Sequence, residues 1–434
     1  MKLGPAVAIA VLACASPLLA SPSAAADAAQ QRGSLPRGGA YVLDANPTVG
    51  AATVALWFRA PGAGYDNASP GIARLAATAA AVAPLTGGKS LIDVVHAVGG
   101  ALNINVYPDI VGVSAVIPSS GVRRVVSALT SAYFAPEIGD AAVKTAQRDA
   151  AVLAVQQRYS TDLTLHDLLF KQIFSAGPAH YPALPDSVAD IARVSPQSIA
   201  EFAKRAFRSG NALLAMTGNV DASTIGAVAG GTGGTMDAPF DSSLSGATGA
   251  TTASGEVPGT GLAWVGPPIA DQKAATALDF VADYLFREQT GLVSREIDAG
   301  NKDAYVIGQF ITLHDPGVMR VTIGGSDDKT AAQTVLGALA KMATPMDPRT
   351  FGAAREAFLY HIASDTQTPD ELSDNLGWYA SEGRPEYAPG DDSGEYLQAA
   401  RALDPQYVSE VVRKYLTAPV TVRLITVAPK GPPS

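Results

Sequence analysis

The spacing of apolar and polar positions changes repeatedly along this chain, and each change predicts an element. Ala51–Phe58 is an apolar run of strand character, followed by a stretch rich in Gly, Pro and Asn. The octapeptide Gly71–Thr78 then opens a helix. Ile110–Ile117 alternates as a strand does, and Val122–Tyr133 carries the period of an amphipathic helix that breaks at Phe134-Ala135-Pro136-Glu137. Gln147–Gln157 reads as a later helix, and Tyr305 starts an amphipathic strand at Ala304-Tyr305-Val306-Ile307.

The pattern repeats. Ser195-Pro196-Gln197 leads to Glu201-Phe202, and Asp404-Pro405-Gln406 leads to Glu410-Val411. Each places an N-cap and a proline at a helix start, because the cap oxygen satisfies an orphan N–H and proline has none to lose. An apolar strand closes each half, Ala212–Met216 and Val420–Val427. Between the halves, residues 223–260 are rich in Gly, Ser, Thr and Ala and nearly free of charge, including Gly230-Gly231-Thr232-Gly233-Gly234. Such a stretch buries too little apolar area to offset its conformational entropy and reads as a flexible linker. The expected organisation is an export signal over 1–26, a disordered leader over 27–38, a first domain over 39–222, the linker, and a second domain over 261–430. Together these describe an internal duplication of an α+β unit.

Composition sets the address. Lys2 followed by the apolar run Leu3–Leu19 and the small residues Ser21–Ala26 forms a signal peptide with a cleavage site before Asp27. Val11-Leu12-Ala13-Cys14 also fits a loose lipobox, so two states stay open: a soluble exported protein, periplasmic or extracellular, or one lipid-anchored through Cys14. No later apolar run is long enough to span a bilayer. A net charge of −9 argues against a nucleic-acid partner, which calls for a basic face.

Several kinds of chemistry are missing. The five histidines, His96, His166, His180, His314 and His361, are scattered with no i, i+4 pair, and the single cysteine excludes a cysteine-ligated zinc or a disulfide framework. Thr86-Gly87-Gly88-Lys89-Ser90 lacks the first glycine of a phosphate loop and reads as a turn. No Gly-x-Ser-x-Gly elbow is present.

Gly71-Ile72-Ala73-Arg74-Leu75-Ala76-Ala77-Thr78 resembles the Gly-Leu-Ala-His-x-x-Glu-His helix of the insulinase-like M16 metallopeptidases, the inverted zincins. In those enzymes the two histidines hold zinc and the glutamate is the general base. Here the positions are Arg74, Ala77 and Thr78, and the site of the third ligand, a glutamate on a later helix, is Ala154. Further likenesses run in order along the chain: Gly99-Gly100-Ala101-Leu102-Asn103 resembles the family's Gly-Gly-x-x-Asn, and Pro182–Ile191 its Pro-rich loop. Gly291-Leu292-Val293-Ser294-Arg295-Glu296 is similar to a helix end whose arginine, with a following tyrosine, reaches substrate in the family. Arg295 is kept, and Tyr305 stands three residues beyond the family's spacing.

The resemblance implies two homologous, mostly antiparallel sheet-plus-helix domains of the LuxS/metallohydrolase-like kind, closing as a clam shell. It also implies a chain with no zinc chemistry of its own and no cofactor. The expected function is a non-catalytic subunit that binds peptide or unfolded protein and completes the chamber of a zinc-bearing M16 partner. In such a pair Arg295 and Tyr305 would position substrate and stabilise an oxyanion. Asn103 would sit on an edge strand that pairs with extended peptide. The plainer alternatives are a surface ion pair for Arg295 and an exposed strand face for Asn103. A stand-alone extracytoplasmic peptide-binding or scaffold protein without hydrolysis is the competing function.

Overall fold

A computed structural model describes residues 30–59, 71–107, 110–174, 188–238, 248–300, 304–325, 328–389 and 394–426. The export signal, Cys14, His180 and most of the Pro182–Ile191 loop lie outside the described residues.

The first half builds a six-stranded sheet. In chain order its strands are β1 (Gln31–Ser34), β2 (Ala40–Ala45), β3 (Ala51–Arg59), β4 (Ala101–Val106), β5 (Ile110–Pro118) and β6 (Ala212–Gly218). Its helices are α1 (Ile72–Val82), α2 (Leu91–Ala97), α3 (Val122–Phe134), α4 (Asp140–Gln157), α5 (Thr161–Ile173), α6 (Val188–Arg193) and α7 (Pro196–Ala206). The sheet order is β1-β2-β6-β3-β5-β4, all neighbours antiparallel except β2 with β6.

The second half contributes β7 (Gly249–Gly255), β8 (Gly259–Val265), β9 (Ala304–Ile311), β10 (Val318–Gly325) and β11 (Val420–Thr426). Its helices are α8 (Gln272–Phe286), α9 (Leu292–Gly300), α10 (Asp328–Met342), α11 (Pro348–Ser364), α12 (Pro369–Ser381), α13 (Glu395–Arg401) and α14 (Pro405–Tyr415). The strand order β7-β11-β8-β10-β9, with only β7 and β11 parallel, reproduces the first sheet without β1. The duplication read from two capped helices is therefore a duplication of the whole topology. Both caps form as expected: the Ser195 side chain accepts from Ser198 N–H at 3.0 Å and Asp404 from Tyr407 N–H at 2.9 Å.

Each sheet covers one face with its own helices. Val54, Leu56 and Phe58 of β3 point into a core shared with α1, α3 and α7, whereas Ala55 and Trp57 point the other way. That second face is covered by a helix from the opposite half. α12 packs on β3 and β6 of the first sheet, and α5 packs on β8, β10 and β11 of the second. Leu165, Leu169 and Phe170 of α5 join Ala263, Val420, Val422 and Leu424 in one apolar cluster.

Two expectations change. The leader is not disordered throughout, because β1 pairs with β2 from Gln31↔Leu43 to Ser34↔Ala40. Nor are the described parts of 223–260 a free linker. Gly231 lies so close to Phe134 that a Cβ would run into its side chain, and Thr232 N–H donates to Phe134 O at 3.2 Å. These glycines permit close backbone approach, which composition cannot distinguish from flexibility. Farther on, β7 needs only its backbone to add to β11, so its exposed Gly, Ala, Thr and Ser residues carry no hydrophobic signature. The first domain therefore extends beyond 222, and the exchanged helices place part of each half on the other.

Candidate functional site

Gly71 begins α1 with φ at 78°, a conformation suited to glycine, and puts Arg74, Ala77 and Thr78 on neighbouring turns of one helix. α1 packs against α4, which carries Ala154, so the four positions that the resemblance assigns to zinc lie on two adjoining helices. Their chemistry is structural. Arg74 Nη1 donates to Ile104 O of β4 at 3.0 Å. Ala77 is fully buried, and its carbonyl accepts the Tyr133 hydroxyl of α3 at 2.8 Å. Burial pushes that hydroxyl far above its ordinary pKa, so it remains a donor. A guanidinium, a hydroxyl and two methyl groups do not fit zinc, which calls for imidazole, thiolate or carboxylate. Among the described residues no three His, Cys, Asp or Glu side chains gather around a common point.

The other expected residues are spread out. Arg295 is exposed on α9, without a hydrogen bond or ion pair among the described residues. Tyr305 is 40% exposed near the start of β9, where its ring lies over Gly324 of β10. Asn103 is exposed on β4, opposite Ser114. β4 and β9 are the corresponding edge strands of the two sheets, so Asn103 and Tyr305 occupy related positions in different halves. No described hydrogen bond joins Arg295 to Tyr305. The Thr86–Ser90 stretch is a turn closed by Leu85 N–H to Lys89 O at 2.9 Å, after which Ser90 and Asp93 form the capping box of α2.

A polar cleft that no motif announced lies where α12 crosses between the halves. It has two adjoining cavities that share Asp279, Gln309 and Asn375. The larger, about 470 Å³, is bounded by α8, β9, α11 and α12. Here His361 Nδ1 faces Asp283 at 2.9 Å, and Arg287 bridges Asp283 and Asp365 at 3.1 and 2.6 Å. Burial raises the Asp279 carboxyl to about 7, partly opposed by the Tyr396 hydroxyl that donates to it at 2.9 Å. The smaller cavity, about 300 Å³, is lined by Trp57, Tyr107, Trp378 and Asp374. Asp374 is raised to about 6 by burial and then by its neighbour Asp370. Burial likewise lifts Tyr107 to about 12, with Asp374 adding to the rise and Arg74 opposing it. A carboxylate within the apolar stretch of α8 was the one sequence signal for this cleft. Asp374, in a polar stretch of α12, gave none.

No protein-family profile matches the sequence, and no curated protein matches it either. Solved structures do. A protease from Helicobacter pylori superimposes with a TM-score of 0.76 at 15% identity, covering 91% of this chain and 99% of that one. A peptidase M16 inactive domain from Pseudomonas fluorescens gives 0.74 at 15% identity, covering 93% and 100%. A chain of complex III2 from Candida albicans gives 0.72 at 13% identity, covering 90% and 94%. The topology, the exchanged helices and nearly complete coverage lead to one conclusion: this chain has the two-domain fold of the M16 peptidases.

Proposed function

We propose that this protein is an exported, non-catalytic M16 subunit that binds extended peptide and completes the chamber of a zinc-bearing partner. One observation carries the reading. The helix that would hold zinc is intact, but Arg74 and Ala77 are built into the packing, to Ile104 and Tyr133 respectively. The scaffold is kept while the ligands and the general base are replaced.

Two surfaces support a partner. Val152, Leu153, Val155, Tyr159 and Leu163 are exposed on α4 and the start of α5, beside Ala154. A run of large apolar side chains there marks an interaction face. Arg295, exposed and without a described partner, is available to a substrate carbonyl held at another chain's zinc. The presence of this fold in a chain of complex III2 is consistent with use in multi-chain assemblies.

The purified chain should hold no stoichiometric zinc and cleave no peptide. Mixed with a zinc-bearing M16 subunit from its own host, it should co-elute, and hydrolysis should need both chains. In that pair Arg295→Ala should lower turnover by about 10²–10³-fold, the usual cost of losing an oxyanion or substrate-positioning donor. Tyr305→Phe tests the hydroxyl alone, and Leu153→Glu should weaken assembly. Full activity of the partner by itself, or one tightly bound zinc per chain with chelator-sensitive proteolysis, overturns the proposal. Full activity of the partner by itself would put the stand-alone binding role in its place, favoured by a cleft formed within a single chain.

A further inference from the structure

The smaller cavity pairs aromatic faces with an unmatched negative charge. Trp57 and Tyr107 stack with ring centroids 6.3 Å apart and planes at 17°. Trp378 stands edge-on to both, 4.6 Å from Tyr107 and 6.3 Å from Trp57. Trp57 is buried in the wall, whereas Tyr107 and Trp378 keep part of their surface on the cavity. Trp378 is fixed from behind, because its Nε1 donates to Thr312 O at 2.8 Å. Asp374, one helical turn before Trp378, has no hydrogen bond or ion pair among the described residues. A half-buried carboxylate without a counter-charge is unfavourable, and the ring faces offer a negative quadrupole rather than compensation.

We propose that this cavity binds an organic cation, an alkylammonium or guanidinium group on a short apolar stem. Such a group gains from the ring faces through cation–π attraction and neutralises Asp374 at the same time. The two edge strands that border the cavity, β4 ending just before Tyr107 and β9 through Ile311, leave room for either source of that group. One source is a free small molecule, and the other is a lysine or arginine side chain on a peptide lying along an edge. The site lies within one chain and does not depend on the subunit role.

Of the charged groups around Asp374, Asp370 acts on it directly. Asp370 and Glu371 lie on its own helix, Asp279 reaches the cavity from α8, and Arg74 acts on Tyr107 from α1. Arg74 bonds Ile104 O, and among the described residues no cation is found to act on Asp374. Because burial and Asp370 raise Asp374 to about 6, its negative form is lost as pH falls through that value. Cation affinity should fall with it.

Calorimetric titration of the full chain tests this with choline against its neutral isostere 3,3-dimethylbutan-1-ol. A parallel arm compares an Ala/Ser octapeptide bearing one central arginine with the same peptide bearing glutamine. The expected result is a preference of about 10-fold or more for at least one cation over its neutral counterpart. Asp374→Asn should abolish that preference, and so should lowering the pH below about 6. Trp378→Leu should weaken binding by about 10-fold, with a melting curve confirming that the variant folds. Choline alone binding identifies a small-molecule site, and the arginine peptide alone binding identifies a side-chain site; both support the cation cage. Equal binding of the neutral isosteres, no effect of Asp374→Asn, or no binding of either cation at millimolar concentration overturns it. Because no partner is present, these outcomes leave the test of the subunit role untouched.

Discussion

The two exchanged helices occupy equivalent places in a duplicated fold, yet they pack by opposite means. α5 brings the bulk and the second sheet makes room: a Cβ on Gly261 of β8 would meet Leu169 at 2.8 Å. At the other crossing the sheet brings the bulk, with Trp57 of β3 packed over Gly377 of α12 so tightly that no Cβ fits there. At the α5 crossing the buried charge is matched, because Arg320 of β10 reaches Asp162 of α5 at 2.7 Å. The α12 crossing is pinned at its ends, where Thr217 donates to Pro369 O and Arg59 to Ser381 O, but it leaves a cavity and the unpaired Asp374 between them. Two copies of one topology have thus diverged into a charge-matched joint and an open one, and the open joint holds the cleft.

The largest expected effect comes from filling the glycine at the open joint. Gly377→Ala should cost about 3 kcal/mol, since a Cβ there would run into the indole of the buried Trp57. Gly261→Ala should cost about 1 kcal/mol, because the end of a leucine side chain yields more easily. In chemical denaturation each variant should lose both halves in one transition. Separate unfolding of the halves would show that the exchanged helices do not couple them.

Next come the charges. Asp162→Asn leaves Arg320 buried without its counter-charge and should cost about 2–3 kcal/mol, toward the low end for a broken buried pair because Asp162 retains some exposure. Asp374→Asn should change stability by no more than about 0.5 kcal/mol, or raise it, since no partner is lost. Similar costs at the two positions would erase the contrast between the joints.

The pH dependence should also differ in sign. His166 on α5 is lowered to about 3, first by burial and then by Arg320, so the unfolded chain takes up its proton first. Stability from this group is present above pH 6.5 and declines as pH falls toward 3. Asp279, beside α12, is raised to about 7, so the folded state holds the proton longer. Its stability is greatest below the unfolded pKa of 3.8 and declines as pH rises toward 7. Since Asp279 keeps some surface on the cavity, Asp279→Asn should raise stability at pH 8 by about 1–2 kcal/mol, with the amide still accepting from Tyr396. His166→Phe should flatten the acid side only. Urea titrations of both variants from pH 4 to 8 separate the two. The smallest effect belongs to Arg295→Ala, which should shift stability by less than about 0.5 kcal/mol, as expected of an exposed side chain.

Local pattern was enough to place most elements. The strand expected at Ala51–Phe58 runs to Arg59, that at Ile110–Ile117 to Pro118, and the helix at Val122–Tyr133 to Phe134. These succeed because periodicity and capping act over a few residues and report directly on which face is buried. The residue types at Arg74, Ala77, Thr78 and Ala154 were legible in the same way, since side-chain identity needs no tertiary structure. Local reading failed at Gly230–Gly234, where glycine serves close approach to Phe134 rather than mobility, and at β7, whose pairing uses backbone groups that every sequence possesses.

The cleft was out of reach for a different reason. Trp57, Tyr107, Asp279 and Trp378 come from four separate segments and meet only because α12 leaves its own half to cover the first sheet. Before that crossing, Trp57 is one aromatic residue in an apolar strand and Asp374 one acid on a polar helix face. Burial of the first and the missing counter-charge of the second are properties of the assembled fold. The sequence by itself determined the elements and their duplication, both of which depend on neighbours along the chain. Tertiary structure alone decided which helix covers which sheet, and so where a charge is left without a partner.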